Sequence, residues 1–246
     1  MIVQRRAGGA RIFEQHDHGL LCGELARAWG EPGAISLGLG LACALHDLPW
    51  RAADAAPRLN SDTGLPFDFI DFPRRERVAL YKKGLDALEG ISPHLGVLTS
   101  RHYVALMGRT APVGFVAAER ARQARLLSEI GGVDEGILEA ELSALRFMDT
   151  LSLFVCMTPP GASAEGRPAW LDPSIFACWP KGRRWSLVWE GPDRLIVDPF
   201  PFLEPLMALV PFRDLGEARY ESAESLRTAW DRAPRGRWSV TLAPAS

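Results

Sequence analysis

Residues 145–156 read LRFMDTLSLFVC, and the aspartate inside this strongly apolar helical stretch constrains the fold more than any other residue of the chain. An ionised Asp149 among such neighbours is costly unless a cation meets it. Arg146, three residues earlier and on the same helical face, is one candidate. A metal ion shared with residues from elsewhere in the chain is the other. Either way, the fold must carry positive charge to position 149.

The histidines indicate where partners can come from, because all five (His16, His18, His46, His94 and His102) precede residue 103. His46 and Asp47 close the apolar run AISLGLGLACALHD just before Pro49. Adjacent residues on a helix diverge by about 100°, so both reach one ion only if it lies over the flank between them. Imidazole nitrogen and carboxylate oxygen suit zinc, iron, manganese or magnesium better than a thiolate-seeking metal. Upstream, QHDHGLLCGELARAWG opens a helix with two imidazoles around a carboxylate. If Asp17 is the N-cap, His18 lies in the first turn, where it can serve as a ligand, and His16 lies outside the helix, free to fold back as a second ligand or a donor on a pocket wall.

Helical periodicity predicts helices near 18–29, 33–48, 73–89, 93–108, 113–130, 134–157 and 222–233. Short strands are expected through Met1-Ile2-Val3 and Arg11-Ile12-Phe13, a hairpin through RWSLVWEG-PD-RLIVDPF, and a strand at 207–210. The pattern predicts a mainly α protein: a helical metal-site domain over 1–161, with a smaller α+β unit over 162–246 packed on it. The Asp- and Pro-rich segment between residues 52 and 73 is too long for a simple connector and reads as a lid. Trp50 would then line the pocket, with Asp54 or Arg58 meeting substrate; as polar loop residues, Asp54, Arg58 and Asp62 equally suit turns.

With 28 basic and 30 acidic residues the net charge is −2, which gives no bulk electrostatic case for a nucleic acid or membrane partner. The clusters at 73–77 and 181–184 read as solvated faces. No apolar run reaches membrane-spanning length and no signal peptide is evident at the start, so the cytoplasm is the expected compartment. Cys22, Cys43, Cys156 and Cys178 form no CxxC pair, which argues against a zinc knuckle or a redox dithiol.

A histidine, then His-Asp, then a distant aspartate in a helix resembles the ligand order of the HD superfamily of metal-dependent phosphohydrolases. The resemblance implies an HD-like helical bundle, a divalent ion held by His18, His46, Asp47 and Asp149, and hydrolysis of a phosphate ester or related small molecule, with Asp47 and His102 as catalytic candidates. His102 matches an extra histidine that some members carry, although a helix histidine bonded to a neighbour is an equal reading. Leu48-Pro49-Trp50 departs from the superfamily's usual continuation, and its phosphate-binding lysine is absent there. The segments QHDHGLLCGELARAWG, LHDLPWRAADAAPRLN, TSRHYVAL, MDTLSLFVC and VDPFPF are similar to the Domain of Unknown Function 3891 family over nearly the whole chain, which strengthens the fold and site without implying a reaction. The alternative function is a non-catalytic ligand-binding or regulatory module that keeps the helical fold. A closed or empty site would favour it over an ion with an open position.

Overall fold

The computed structural model describes residues 1–31, 33–161, 167–172 and 183–245. Cys178 and the Lys181-Gly182 part of the second basic cluster lie outside them. Two strands, β1 (Ile2–Arg6) and β2 (Gly9–Phe13), open the chain as a hairpin whose turn uses Gly8 at φ +77°. There follow α1 (Gln15–Ala28), α2 (Leu37–Leu45), a 3₁₀ turn over Leu48–Trp50 and α3 (Arg51–Ala55). The segment read as a lid contains a small hairpin, β3 (Leu59–Asn60) with β4 (Leu65–Pro66). Helices α4 (Arg74–Ile91), α5 (Pro93–Met107), α6 (Val113–Glu129) and α7 (Glu135–Met157) come next. The C-terminal part supplies β5 (Ser186–Trp189), β6 (Arg194–Asp198), β7 (Leu206–Leu215), α8 (Ala223–Arg232) and β8 (Arg235–Ala243).

The expected HD-like bundle with a small C-terminal α+β unit is not what forms. Helices, 3₁₀ turns included, make up 52% of the described residues, but they pack with a six-stranded curled mixed sheet, a half-barrel ordered β1-β2-β7-β8-β6-β5. Neighbours run antiparallel except β6 and β8. The sheet draws on both ends of the chain, for a physical reason: a lone two-stranded hairpin is marginal in water, so β1 and β2 gain stability by extending a larger sheet. Ala10 and Ile12 of β2 pair with Leu215 and Arg213 of β7.

Strand β8 was not anticipated, although its pattern carries the period of two. Val240 and Leu242 are buried on one face, while Ser239 is exposed on the other. Helices α1 and α7 pack on β7 and β1 respectively, and on their other sides meet α2 and α5. Gly23 of α1 sits so close to α2 that an added Cβ would lie 2.6 Å from the Ala44 Cβ, so this approach requires a residue without a side chain. Among the described residues no helix is long and apolar enough to cross a membrane.

Leu242 is fully buried in a strand with neighbours on both sides. Leu242→Ala is expected to destabilise the protein by about 2–5 kcal/mol, through lost transfer energy and a residual cavity. Urea denaturation checks this: an unchanged midpoint would mean that β8 is not part of the cooperative fold.

Candidate metal centre

The helix α1 starts at Gln15 and its N-cap position is Glu14, so Asp17 lies in the first turn and does not cap. There its charge complements the helix N-terminus. His16 is therefore helical and points about 200° away from His18. His18 is fully buried and faces inward; His16 is half-buried, with a buried Nδ1 lacking a hydrogen-bond partner among the described residues. Helix α2 ends one turn earlier than its periodicity predicts. Asp47 leaves helical geometry at φ −99°, ψ 12°, and its carbonyl accepts the Trp50 N–H, so His46 and Asp47 are not held at fixed helical divergence.

The result is a convergence of side chains from α1, the end of α2, α5 and α7. His18 Nε2 lies 3.0 Å from Asp47 Oδ2 and 3.5 Å from Asp149 Oδ1. His46 Nε2 is 3.6 Å from Asp47 Oδ2 and 3.3 Å from Asp149 Oδ1. His102 Nε2 is 3.5 Å from Asp149 Oδ2. Ligand atoms lie within 4.8 Å of one another in two sets, His18-His46-Asp47 and His46-His102-Asp149. Asp149 thus finds imidazoles; Arg146 stays exposed and makes no ion pair with it.

The hydrogen bonds behind the rings define what this cluster lacks. The Nδ1–H of His46 donates to the Cys43 carbonyl at 2.9 Å, which leaves a lone pair on Nε2 when the ring is neutral. The Ser152 hydroxyl donates to the Asp149 carbonyl and so accepts from His18 Nδ1 at 2.8 Å, giving His18 the same tautomer. Two lone pairs therefore point at two carboxylates. Both ring nitrogens of His102 are buried without a hydrogen-bond partner among the described residues. Acceptors facing acceptors need a cation between them. Tetrahedral ligand atoms on bonds of about 2.0–2.2 Å stand roughly 3.3–3.6 Å apart, close to the separations found here. The residues fit a divalent ion.

Without an ion, a proton must serve. Burial alone would lower the His46 pKa, but Asp47 and Asp149 raise it to about 10. Burial would raise both carboxyls, yet His46 and the other imidazoles hold Asp47 and Asp149 below their ordinary values. His102 is pushed down to about 4 by burial, so its ring is neutral at pH 7.

Further residues hold the cluster in place, and none was singled out in the sequence. Gln15 Nε2 donates to Asp47 Oδ2 at 3.1 Å, and the Tyr103 hydroxyl donates to the His46 carbonyl at 2.5 Å and lies 3.4 Å from Asp47 Oδ1. Tyr103 is itself stacked on Tyr81, ring centres 3.8 Å apart. Ser152 was findable, since it stands three residues after Asp149 on the same face.

The remaining candidates sit elsewhere. Trp50 is core, packed edge-on against Phe72 and Tyr81. Asp54 is fully buried, accepting the Gln15 N–H at 2.7 Å and pairing with the Met1 amino nitrogen at 2.6 Å. Arg58 is at the surface, paired with Glu76 and lying over Phe67 and Phe72. The proposed lid is tied down, with the Tyr220 N–H bonded to the Gly64 carbonyl and Arg219 to those of Ser61 and Asp62. His94 stands outside the cluster, 2.8 Å from Glu141.

The family model described as a protein of unknown function, DUF3891, matches residues 1–216. The chain belongs to that family. No curated protein and no solved structure matches it. In this DUF3891 protein, four of the residues read from sequence as ligands meet at one point, together with His102.

Two outcomes follow from this geometry. In chelator-treated protein, His46 carries a folded-state pKa near 10 against an unfolded value of about 6.5. Its stabilising contribution is therefore complete below the unfolded value and lost as pH rises toward 10. The melting temperature of the metal-free form should fall across that window, while that of the zinc-loaded form holds, because the ion replaces the proton; parallel profiles would contradict this. Ser152→Ala removes the acceptor that fixes the His18 tautomer and should weaken zinc affinity by about 10–100-fold in a chelator competition titration.

Proposed function

We propose that this protein is a metal-dependent hydrolase acting on a phosphate ester or related small molecule. Its divalent ion would be held by His18, His46, Asp47 and Asp149, with His102 as a further donor. The observation that carries the reading is the meeting of three imidazoles and two ionised carboxylates with no Lys or Arg ion-paired to either carboxylate among the described residues. Three imidazoles beside two carboxylates favour zinc, iron or manganese over magnesium, which prefers oxygen. An ion held there supplies Lewis acidity toward an ester oxygen and makes water nucleophilic near neutral pH.

The chain's own residues divide the remaining work. Asp47 and Asp149 each keep 7% of their side chains exposed, whereas the three ring side chains are at most 1% exposed. The carboxylates therefore form the edge that a small molecule meets. Asp47 stays ionised at neutral pH and can accept a hydrogen bond from an attacking water. The buried rings exclude bulk water from the other sides. The same burial favours a second reading, a regulatory module whose ion is closed off from substrate.

Elemental analysis of protein purified without chelator, followed by a phosphoester screen, separates these readings. The expected result is a bound divalent ion that Asp149→Asn loses, with turnover abolished by chelation and restored by added metal. Asp149→Asn retaining its metal would overturn the ligand set. Bound metal with no turnover across the screen would favour the regulatory module.

A further inference from the structure

Gln15 opens α1 on the same helical face as His18 and is held from two sides. Its backbone N–H donates to Asp54 Oδ2 at 2.7 Å, and its side-chain Nε2 donates to Asp47 Oδ2 at 3.1 Å. The residue is 2% exposed. Its amide oxygen differs from these groups: Oε1 is buried and has no hydrogen-bond partner among the described residues.

The chemistry of the contact fixes which way the amide lies. A carboxylate oxygen of Asp47 can only accept, so the NH₂ end must face it and Oε1 is turned away. A single carbon separates the two ends, so this oxygen still lies close to the carboxylate that would hold the ion. Leaving a buried acceptor without a donor is costly. Imidazoles and carboxylates already supply the donor atoms that zinc or iron takes from this cluster. What the amide oxygen lacks is an O–H or N–H.

We propose that Gln15 Oε1 accepts a hydrogen bond from the O–H or N–H group that occupies the ion's free position, the attacking water during turnover. It would thereby select ligands that carry a donor beside the atom meeting the metal. This rests on the metal-dependent reading above. With Asp47 accepting one hydrogen of the water, Gln15 accepts the other, and the water is held in one orientation. The two ends of one amide then have separate roles: Nε2 steadies a ligand, and Oε1 discriminates among the groups that bind beside it.

The test uses zinc-loaded protein and two probes, acetohydroxamate and N-methylacetohydroxamate, titrated calorimetrically. Both meet zinc through the same pair of oxygens, and only the first has an N–H beside them. Wild-type protein should bind acetohydroxamate about tenfold more tightly, the effect of one hydrogen bond to a buried acceptor. In Gln15→Leu the two affinities should become nearly equal. Gln15→Glu keeps an acceptor oxygen and should keep the preference, although both variants hold zinc less tightly for want of the amide donor to Asp47. A residue that only steadied Asp47 would lower zinc affinity in both variants and leave the ratio of the two probes untouched, and that result would overturn the proposal. Equal affinities in wild-type protein, or no binding of either probe, would overturn it too. Loss of zinc from Gln15→Leu at saturating metal would assign Gln15 to the ligands instead, with the same consequence. Wild-type protein that takes up no zinc removes the hydrolase reading as well, whereas full zinc occupancy with an unchanged probe ratio removes only the assignment of Gln15.

Discussion

Two carboxylates, Asp47 and Asp149, share one interior site, and much of the arrangement around them follows from the need to keep both ionised there. Each raises the free energy of the other's charge, and burial adds to that penalty. Only positive charge placed between them makes the arrangement stable. That requirement draws His18 from α1, His46 from the end of α2 and His102 from α5 to one point beside α7. The close contact of Gly23 with Ala44 has its reason here, because it lets α1 approach α2 near the level of His18 and His46. Cys43, Ser152, Gln15 and Tyr103 then restrict the rings and Asp47 to the orientations that point inward. Such outer hydrogen bonds keep a donor set assembled before its ion arrives.

The sheet is the brace for this cluster. Strand β2 leads within two residues into α1, so the position of His18 depends on β2 being fixed, and β2 is fixed by β7. Helix α7, which carries Asp149 and Ser152, rests on β1. The family match ends at residue 216, yet β8, beyond it, lies between β7 and β6 in the middle of the sheet. Removing that strand would leave the long edge of β7 and the shorter edge of β6 unpaired, which proteins avoid by pairing or covering. Residues 235–243 are therefore as much part of the fold here as the matched region.

What was legible in the sequence were the places where a residue violates its surroundings. Asp149 within LRFMDTLSLFVC and His46-Asp47 at the end of an apolar run stand out because buried charge is expensive, and the structure brings them together. Helix α5 began where Ser92-Pro93 predicts, since proline at the first turn forfeits no hydrogen bond. The failures come from partners distant in the chain. Asp54 sits in a polar segment that reads as exposed, but its acceptors are engaged by Gln15 and Met1 in the interior. Local composition says nothing of such a pair. The bundle was over-read for the same reason: β1 and β2 are short, β8 was not read as a strand, and only their pairing through β7 reveals a sheet. Gln15 and Tyr103 were invisible because a glutamine or tyrosine in a helix is ordinary until its hydroxyl or amide is seen to meet a carboxylate.

The rings are fully buried and the carboxylates nearly so, and the small difference determines which groups of this centre lie nearest to solvent. An anion approaching from that side first meets Asp47 and Asp149, which repel it until an ion offsets them. Once they are offset, that repulsion is removed. Occupancy by the ion would thus relieve the repulsion at the entrance as well as satisfy the ring lone pairs within. An anionic ligand and the ion should accordingly favour each other's binding, each stabilising a charge distribution that the other leaves incomplete.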